Sequence, residues 1–414
     1  MFFFEKKEPK NFSDFWSEFA ATMGEIIMWL RGLLMAALTL ASGASWSAEP
    51  VDIPLVLPLT GRGAFLGQQF VANYGPLAEL VNATGGIAGR PLTFSYNDDQ
   101  SSPQQDVQIA ASLIARHPPI ILGSAIVALC NSMAPMMKNG PVQYCLSPSF
   151  EPKPGGFGFS AGVATRDQIA AIVRYFRIKG WTRIALLNSS DTTGQNADHD
   201  IKGVLDKDEN KTMTVVLTDH FNPADISVAA QIARIKDSGA QAMIAWTTGV
   251  PVATIFKGMI QAGLDIPIGT SSGNQTFTQM AQFESFLPKQ LVMGSALFPP
   301  HAGIITLDPR VEAAQAQMNK ALGAHAIIAD IAAACGWDAA MITVSALRKL
   351  GPDATPAQIR DYIANLTDFP GINGIYDFKT YPDRGLGADS VTVITYDPNA
   401  KSWVWLSKPG GAPL

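Results

Sequence analysis

Short apolar runs alternate with stretches whose apolar residues recur every three or four positions, from about residue 51 to residue 298. Residues 51–59 predict a strand, interrupted by Pro54, that runs into Thr60-Gly61-Arg62-Gly63. Residues 66–81 predict a helix with Phe70, Tyr74, Leu77 and Val81 on one face, stopped by Gly85-Gly86. A strand at 92–96 ends in Asn97-Asp98-Asp99, and a helix at 103–116 opens on Ser101 or Ser102 as its cap. The rhythm continues with strands at 120–122, 143–146, 183–188, 214–217, 242–246 and 268–271. Helices at 125–138, 166–179, 194–206, 227–238 and 250–263 separate them. Such alternation predicts an α/β chain, with helices packed on both faces of mainly parallel sheets. Beyond Phe298-Pro299-Pro300, an extended connector, the pattern turns to helices at 309–322, 326–350 and 356–365. Late strands at 375–378 and 391–405 close the chain like a hairpin. Helices followed by late strands imply that the chain returns to an earlier domain before finishing in the other.

Length agrees: 414 residues, 47% of them hydrophobic, exceed one compact core and fit two domains. The net charge of −5 and the lack of a basic run argue against a nucleic-acid partner. Residues 1–48 stand apart. Arg31, an apolar run over 32–41 and a small-residue end over 42–48 make a secretory signal, with cleavage between Ala44 and Ala48. The run is too short to span a bilayer comfortably. Acids at Glu5, Glu8, Asp14, Glu18 and Glu25 precede it, so Met23 or Met28 is the expected start. Export makes disulfides possible. Cys130 and Cys145 flank one helix-and-strand step and are the expected pair, with Cys335 free; three buried thiols are the alternative. No C-x-x-C pair exists and the five histidines are scattered, so no metal site is expected.

Catalytic motifs are weak. Gly61, Gly63 and Gly67 miss the dinucleotide spacing by one residue, and no cofactor is implied. Asp98-Asp99 reads as turn chemistry. Serines are common at strand ends, but no G-x-S-x-G elbow accompanies them. The more informative pattern is that small polar residues gather after successive strands. These are Ser124-Ala125, Ser147-Pro148-Ser149, Ser189 to Gly194, Thr247-Thr248-Gly249 and Thr270 to Asn274. In open α/β sheets that edge is where ligands bind. Five such loops with few catalytic residues point to binding without chemistry.

The segments LPLTGRGAFLG (ending at Gly67), LVNATGGIAGR (ending at Arg90), Tyr96 to Asp99 before Pro103, and Leu146-Ser147-Pro148-Ser149 occur in order. With FSAGVATRD (ending at Asp167) and the closing GINGIYDF (ending at Phe378), the chain resembles the branched-chain amino acid type of periplasmic substrate-binding proteins of ABC transporters. The resemblance covers nearly all of 49–410. It implies a type I periplasmic-binding-protein fold: two α/β lobes joined by three crossovers, closing on a small-molecule ligand by hinge motion. The crossovers are expected near 166, 297 and 372, giving one lobe of 49–165 plus 298–372 and a second of 166–297 plus 373–414. The implied product is a periplasmic, monomeric, non-enzymatic receptor that hands its solute to an ABC permease.

Carried over by position, the ligand loops of the first lobe are Leu66, Ser124-Ala125-Ile126, and Ser147, Ser149 and Phe150. Those of the second are Thr193, Trp246-Thr247-Thr248, and Ser271, Ser272 and Asn274. The family's tyrosine before the glycine is here Thr193, its aromatic pair is Thr247-Thr248, and its ammonium-binding acid is replaced around Ser271-Ser272. An unpaired buried ammonium is costly. Either Asp191 or Glu151 substitutes, or the solute is a carboxylate or amide resting on Trp246 and Phe150. Glu151 is expected to point away from a carboxylate. Two rival functions are a sensor of the same fold, serving a regulatory or chemosensory partner, and an exported hydrolase relying on His199.

Overall fold

The computed structural model describes residues 49–298 and 305–414. The expected signal segment 1–48 and the two prolines of the connector lie outside the described residues. The first sheet is built by β1 (Val51–Leu57), α1 (Ala64–Ala83), β2 (Leu92–Asp98), α2 (Pro103–Ile114), β3 (Ile120–Gly123), α3 (Val127–Met133), β4 (Val142–Cys145) and β5 (Gly158–Ser160). Its order is β2-β1-β3-β4-β5, parallel throughout. Every residue of β3 and β4 is buried, as strands covered on both faces require.

The chain then lays down α4 (Thr165–Ile178), β6 (Arg183–Ser189), α5 (Thr192–Leu205), β7 (Thr214–Phe221), α6 (Ala229–Asp237), β8 (Ala242–Ile244), α7 (Val250–Ala262), β9 (Ile268–Thr270), α8 (Phe277–Phe283) and β10 (Leu291–Ala296). Three helices follow, α9 (Pro309–Gly323), α10 (Ile331–Leu350) and α11 (Pro356–Ala364), then a small hairpin, β11 (Phe369–Gly371) and β12 (Gly374–Tyr376). Finally β13 (Val391–Asp397) and β14 (Ser402–Trp405) join the second sheet, ordered β14-β13-β10-β9-β8-β6-β7. There β13 runs antiparallel to both β10 and β14, and the other pairs are parallel. The late helices belong with the first sheet: α9 and α10 pack on α1, and α11 on α10 and β4. The strands of the hairpin-like end thus lie in a different sheet from the helices before them.

Four elements escape the periodicity, the three-residue β11 among them. β5 has three residues, and α8 has seven. β10 is wholly buried, but Gly294-Ser295 interrupts its apolar run. Glycine is needed there, because a Cβ on Gly294 would stand 2.7 Å from the Gln168 backbone oxygen and Cβ of α4. β7 runs on to Phe221 rather than stopping at Leu217, since it is an edge strand whose polar Thr218, Asp219 and His220 tolerate solvent. α10 starts at Ile331, not Ala326, because the Asp330 carboxylate accepts from the Ala332 amide and caps it.

Candidate functional site

A cavity of about 580 Å³ opens where the carboxyl ends of both sheets face each other. Most of its wall comes from segments that follow strands: 62–66 after β1, 125–127 after β3 and 146–149 after β4 from the first lobe, with Phe70 of α1 and Ile331 and Cys335 of α10 beside them. The second contributes the loops after β6, β7, β8 and β9. This is the edge that a doubly wound topology leaves free for ligands.

The glycine-rich turn after β1 is tied down by the acidic pair. Asp98 accepts from the amides of Leu59 (2.9 Å) and Thr60 (3.1 Å) and from the Thr60 hydroxyl (2.7 Å). Asp99 is fully buried, accepts from Ser124 Oγ (2.7 Å) and the Ser101 amide (2.8 Å), and burial pushes its pKa up to about 6. Cys130 of α3 and Cys145 of β4 form a disulfide, while Cys335 is free and buried in the cavity wall. The bridge joins the element behind the 124–127 loop to the strand that feeds the 146–149 loop.

Of the residues singled out from sequence, Leu66, Ala125, Ile126, Ser147, Ser149, Thr193, Thr248 and Ser271 come together on the cavity wall. The others stand behind it. Ser124 is spent on Asp99, and Phe150 packs against the disulfide with Val127. Trp246 is fully buried in the core, its amide donating to Asn188 Oδ1 (2.9 Å), so the apolar faces come instead from Phe65, Phe70, Ile126, Pro148 and Ile331. Thr247 and Asn274 hold a turn: Asn274 Nδ2 donates to the Thr247 carbonyl (2.8 Å) and its Oδ1 accepts from the Gly249 amide (2.8 Å). The Ser272 amide donates to Gln168 Oε1 (3.3 Å). Glu151 does not line the cavity; it pairs with Arg166 (3.1 Å) and Arg384 (3.4 Å).

Among the described residues the wall carries two charged side chains, Arg62 and Asp191. Asp191 caps α5, its Oδ1 accepting from the Thr193 and Gly194 amides (3.2 and 3.3 Å) and from Ser189 Oγ (2.7 Å). The remaining polar surface is hydroxyl-rich, and Ser149 Oγ bonds Thr165 Oγ1 (2.8 Å) at the start of α4. Sequence reading missed Asn222, Pro223 and Ala224 because it ended β7 too early. It missed Ile331 and Cys335 because nothing in a long apolar helix marks which end meets a cleft. His199 is exposed on α5 and does not line the cavity.

Residues 50–400 match the family described as periplasmic binding protein. The chain belongs to that family. It is 24% identical over 260 residues to a leucine-, isoleucine-, valine-, threonine- and alanine-binding protein of Pseudomonas aeruginosa, covering 60% of this chain and 68% of that one. A Leu/Ile/Val-binding protein homologue of Brucella melitensis is 22% identical over 203 residues, 48% of this chain. The chain spans 54% of that relative's length. In fold it matches a type 1 periplasmic binding protein of Bordetella pertussis with a TM-score of 0.73 at 21% identity, over 87% of this chain and all of that one. A branched-chain amino acid transporter substrate-binding protein of Streptococcus pneumoniae, solved with isoleucine, matches with a TM-score of 0.71 at 16% identity, over 86% and 98%. Among the described residues no helix is long and apolar enough to cross a membrane.

Proposed function

We propose that this chain is a periplasmic, non-enzymatic receptor that takes up one small organic solute, an amino acid or a carboxylate or amide analogue, and delivers it to an ABC permease. The observation that carries the reading is the cavity of about 580 Å³ walled by strand-end loops of both lobes, rich in hydroxyls and apolar faces. A solute touching both walls favours the closed arrangement by its differential contacts. The expected lobes are 49–165 with 298–372 and 166–297 with 373–414. The packing of α9 to α11 on the first sheet and the place of β13 in the second support that division. The Ser160 amide donates to the Asp383 carbonyl (2.9 Å), and the Phe378 amide to the Leu366 carbonyl (2.9 Å). These bonds favour a last crossover after Leu386 rather than near 372.

Asp191 takes the place of the family's acid. Its Oδ1 is committed within the protein, so the solute presents its N–H or O–H donor to Oδ2, while its apolar body lies on Phe65, Phe70 and Ile331. The test is a thermal-shift screen of refolded protein with branched-chain amino acids, aromatic carboxylates, short-chain acids and amides. Binding to the native state alone raises Tm. A raised Tm with one class is expected; a flat response across all four sinks the reading.

A further inference from the structure

Phe65 is the second residue of α1, in the first lobe, and it is half-buried on the cavity wall. The turn just before it is fixed from behind: the Gly63 amide donates to Ser101 Oγ (3.1 Å), which itself donates to the Thr60 carbonyl (3.0 Å). The ring reaches across to Gly249, the residue before α7 in the second lobe. A Cβ placed on Gly249 would stand 3.0 Å from Phe65 Cε1 and 3.3 Å from Cζ. Gly249 is also left-handed, with φ +86°. Its amide is held by Asn274, a fully buried side chain bonded also to the Thr247 carbonyl and to Thr270 Oγ1 (3.2 Å). The turn that receives the ring is therefore held by Asn274 bonds within the second lobe, and Val250 beside it lines the cavity while 69% exposed.

We propose that Phe65 and Gly249 form a latch across the cleft, in which an aromatic ring seats on a side-chain-free turn and holds the lobes together over the cavity. Phe65 is a positioning residue: it sets how tightly the entrance shuts and how large a solute fits beneath it. Asn274 serves the latch by holding the seat. The latch depends on the two-lobed fold and not on the solute, so it is tested on solute-free, refolded protein. Failure of the transport reading leaves it standing, and its own failure leaves that reading untouched.

The experiment measures the distance between spin labels on the exposed positions Gln108 of α2 and Asp237 of α6, each changed to cysteine. Phe65→Ala is expected to shift the open-to-closed ratio toward the longer distance by about three- to tenfold, the size of one aromatic contact. Gly249→Ala is expected to do the same in the Phe65 background and to add little in the Phe65→Ala background, where no ring remains to be displaced. An unchanged distance distribution in Phe65→Ala overturns the latch. A Gly249→Ala shift of equal size in both backgrounds also overturns it, because the cost is then local backbone strain rather than the ring.

Discussion

Asp191 belongs at once to a helix cap and to the cavity wall. Its Oδ1 closes the first turn of α5, and the side chain stands on the cavity wall. Asparagine caps a helix about as well as aspartate, so Asp191→Asn separates the two roles. Tm should stay near that of the parent, while affinity for the solute found in the screen falls about tenfold, as for the loss of a charged hydrogen bond. Calorimetric titration checks it, and an unchanged Kd would remove Asp191 from the site. The sequence pointed to loops that meet at the cavity, because polar strand ends in α/β sheets gather on one edge. It could not tell which of two neighbours faces inward: Thr248 lines the cavity and Thr247 does not, and Ser271 does while Ser272 does not. Side-chain direction at a strand end depends on the turn, and the Thr247–Gly249 turn is fixed by Asn274, a residue 25 positions from Gly249. Trp246 misled for a related reason, since a large aromatic at a strand end is equally suited to the core.

At the scale of elements, two ties decide how the cleft walls are held. The Cys130–Cys145 bridge closes a segment of 15 residues between α3 and β4. Replacing both cysteines with alanine should lower unfolding free energy by about 3 kcal/mol, read from urea denaturation. The second tie is Asp338 of α10, fully enclosed against the β11–β12 hairpin. It accepts from the amides of Ile372 (2.8 Å) and Asn373 (3.1 Å), from Asn373 Nδ2 (2.9 Å) and from the Tyr376 hydroxyl (2.9 Å). Asp338→Ala strands these buried donors and should cost about 3 kcal/mol or more by the same assay. Most strands and helices were legible because their period was clean. β10 was not, since Gly294 answers to α4 across the sheet rather than to its own strand. Nor was it legible that Phe378 and Asp383 bond to Leu366 and Ser160, because those backbone bonds carry no sequence signal.

For the whole molecule, burial raises several carboxyls together. Asp99 is pushed up to about 6, and Asp106 and Asp330 to about 7. In the unfolded chain each titrates at about 3.9. Between those values the folded protein binds more protons, so stability from these groups is present at low pH and lost as pH rises through 6 to 7. The carboxyls of Asp308 and Asp377, held low by hydrogen bonds from Arg310 and Thr380, act oppositely and only below about pH 4. Tm should therefore be higher at pH 5 than at pH 7.5 by scanning fluorimetry; the reverse order would mean that these acids are ionised in the folded state. The central claim is that one solute occupies the space between the lobes. Native mass spectrometry tests it most directly, comparing protein purified from the producing cells with the same protein after unfolding and refolding. The account predicts one small-molecule adduct per chain that unfolding removes, and its absence from Thr193→Trp, which places an indole in the cavity. An adduct that persists unchanged in Thr193→Trp would show that the solute sits elsewhere and would contradict the account.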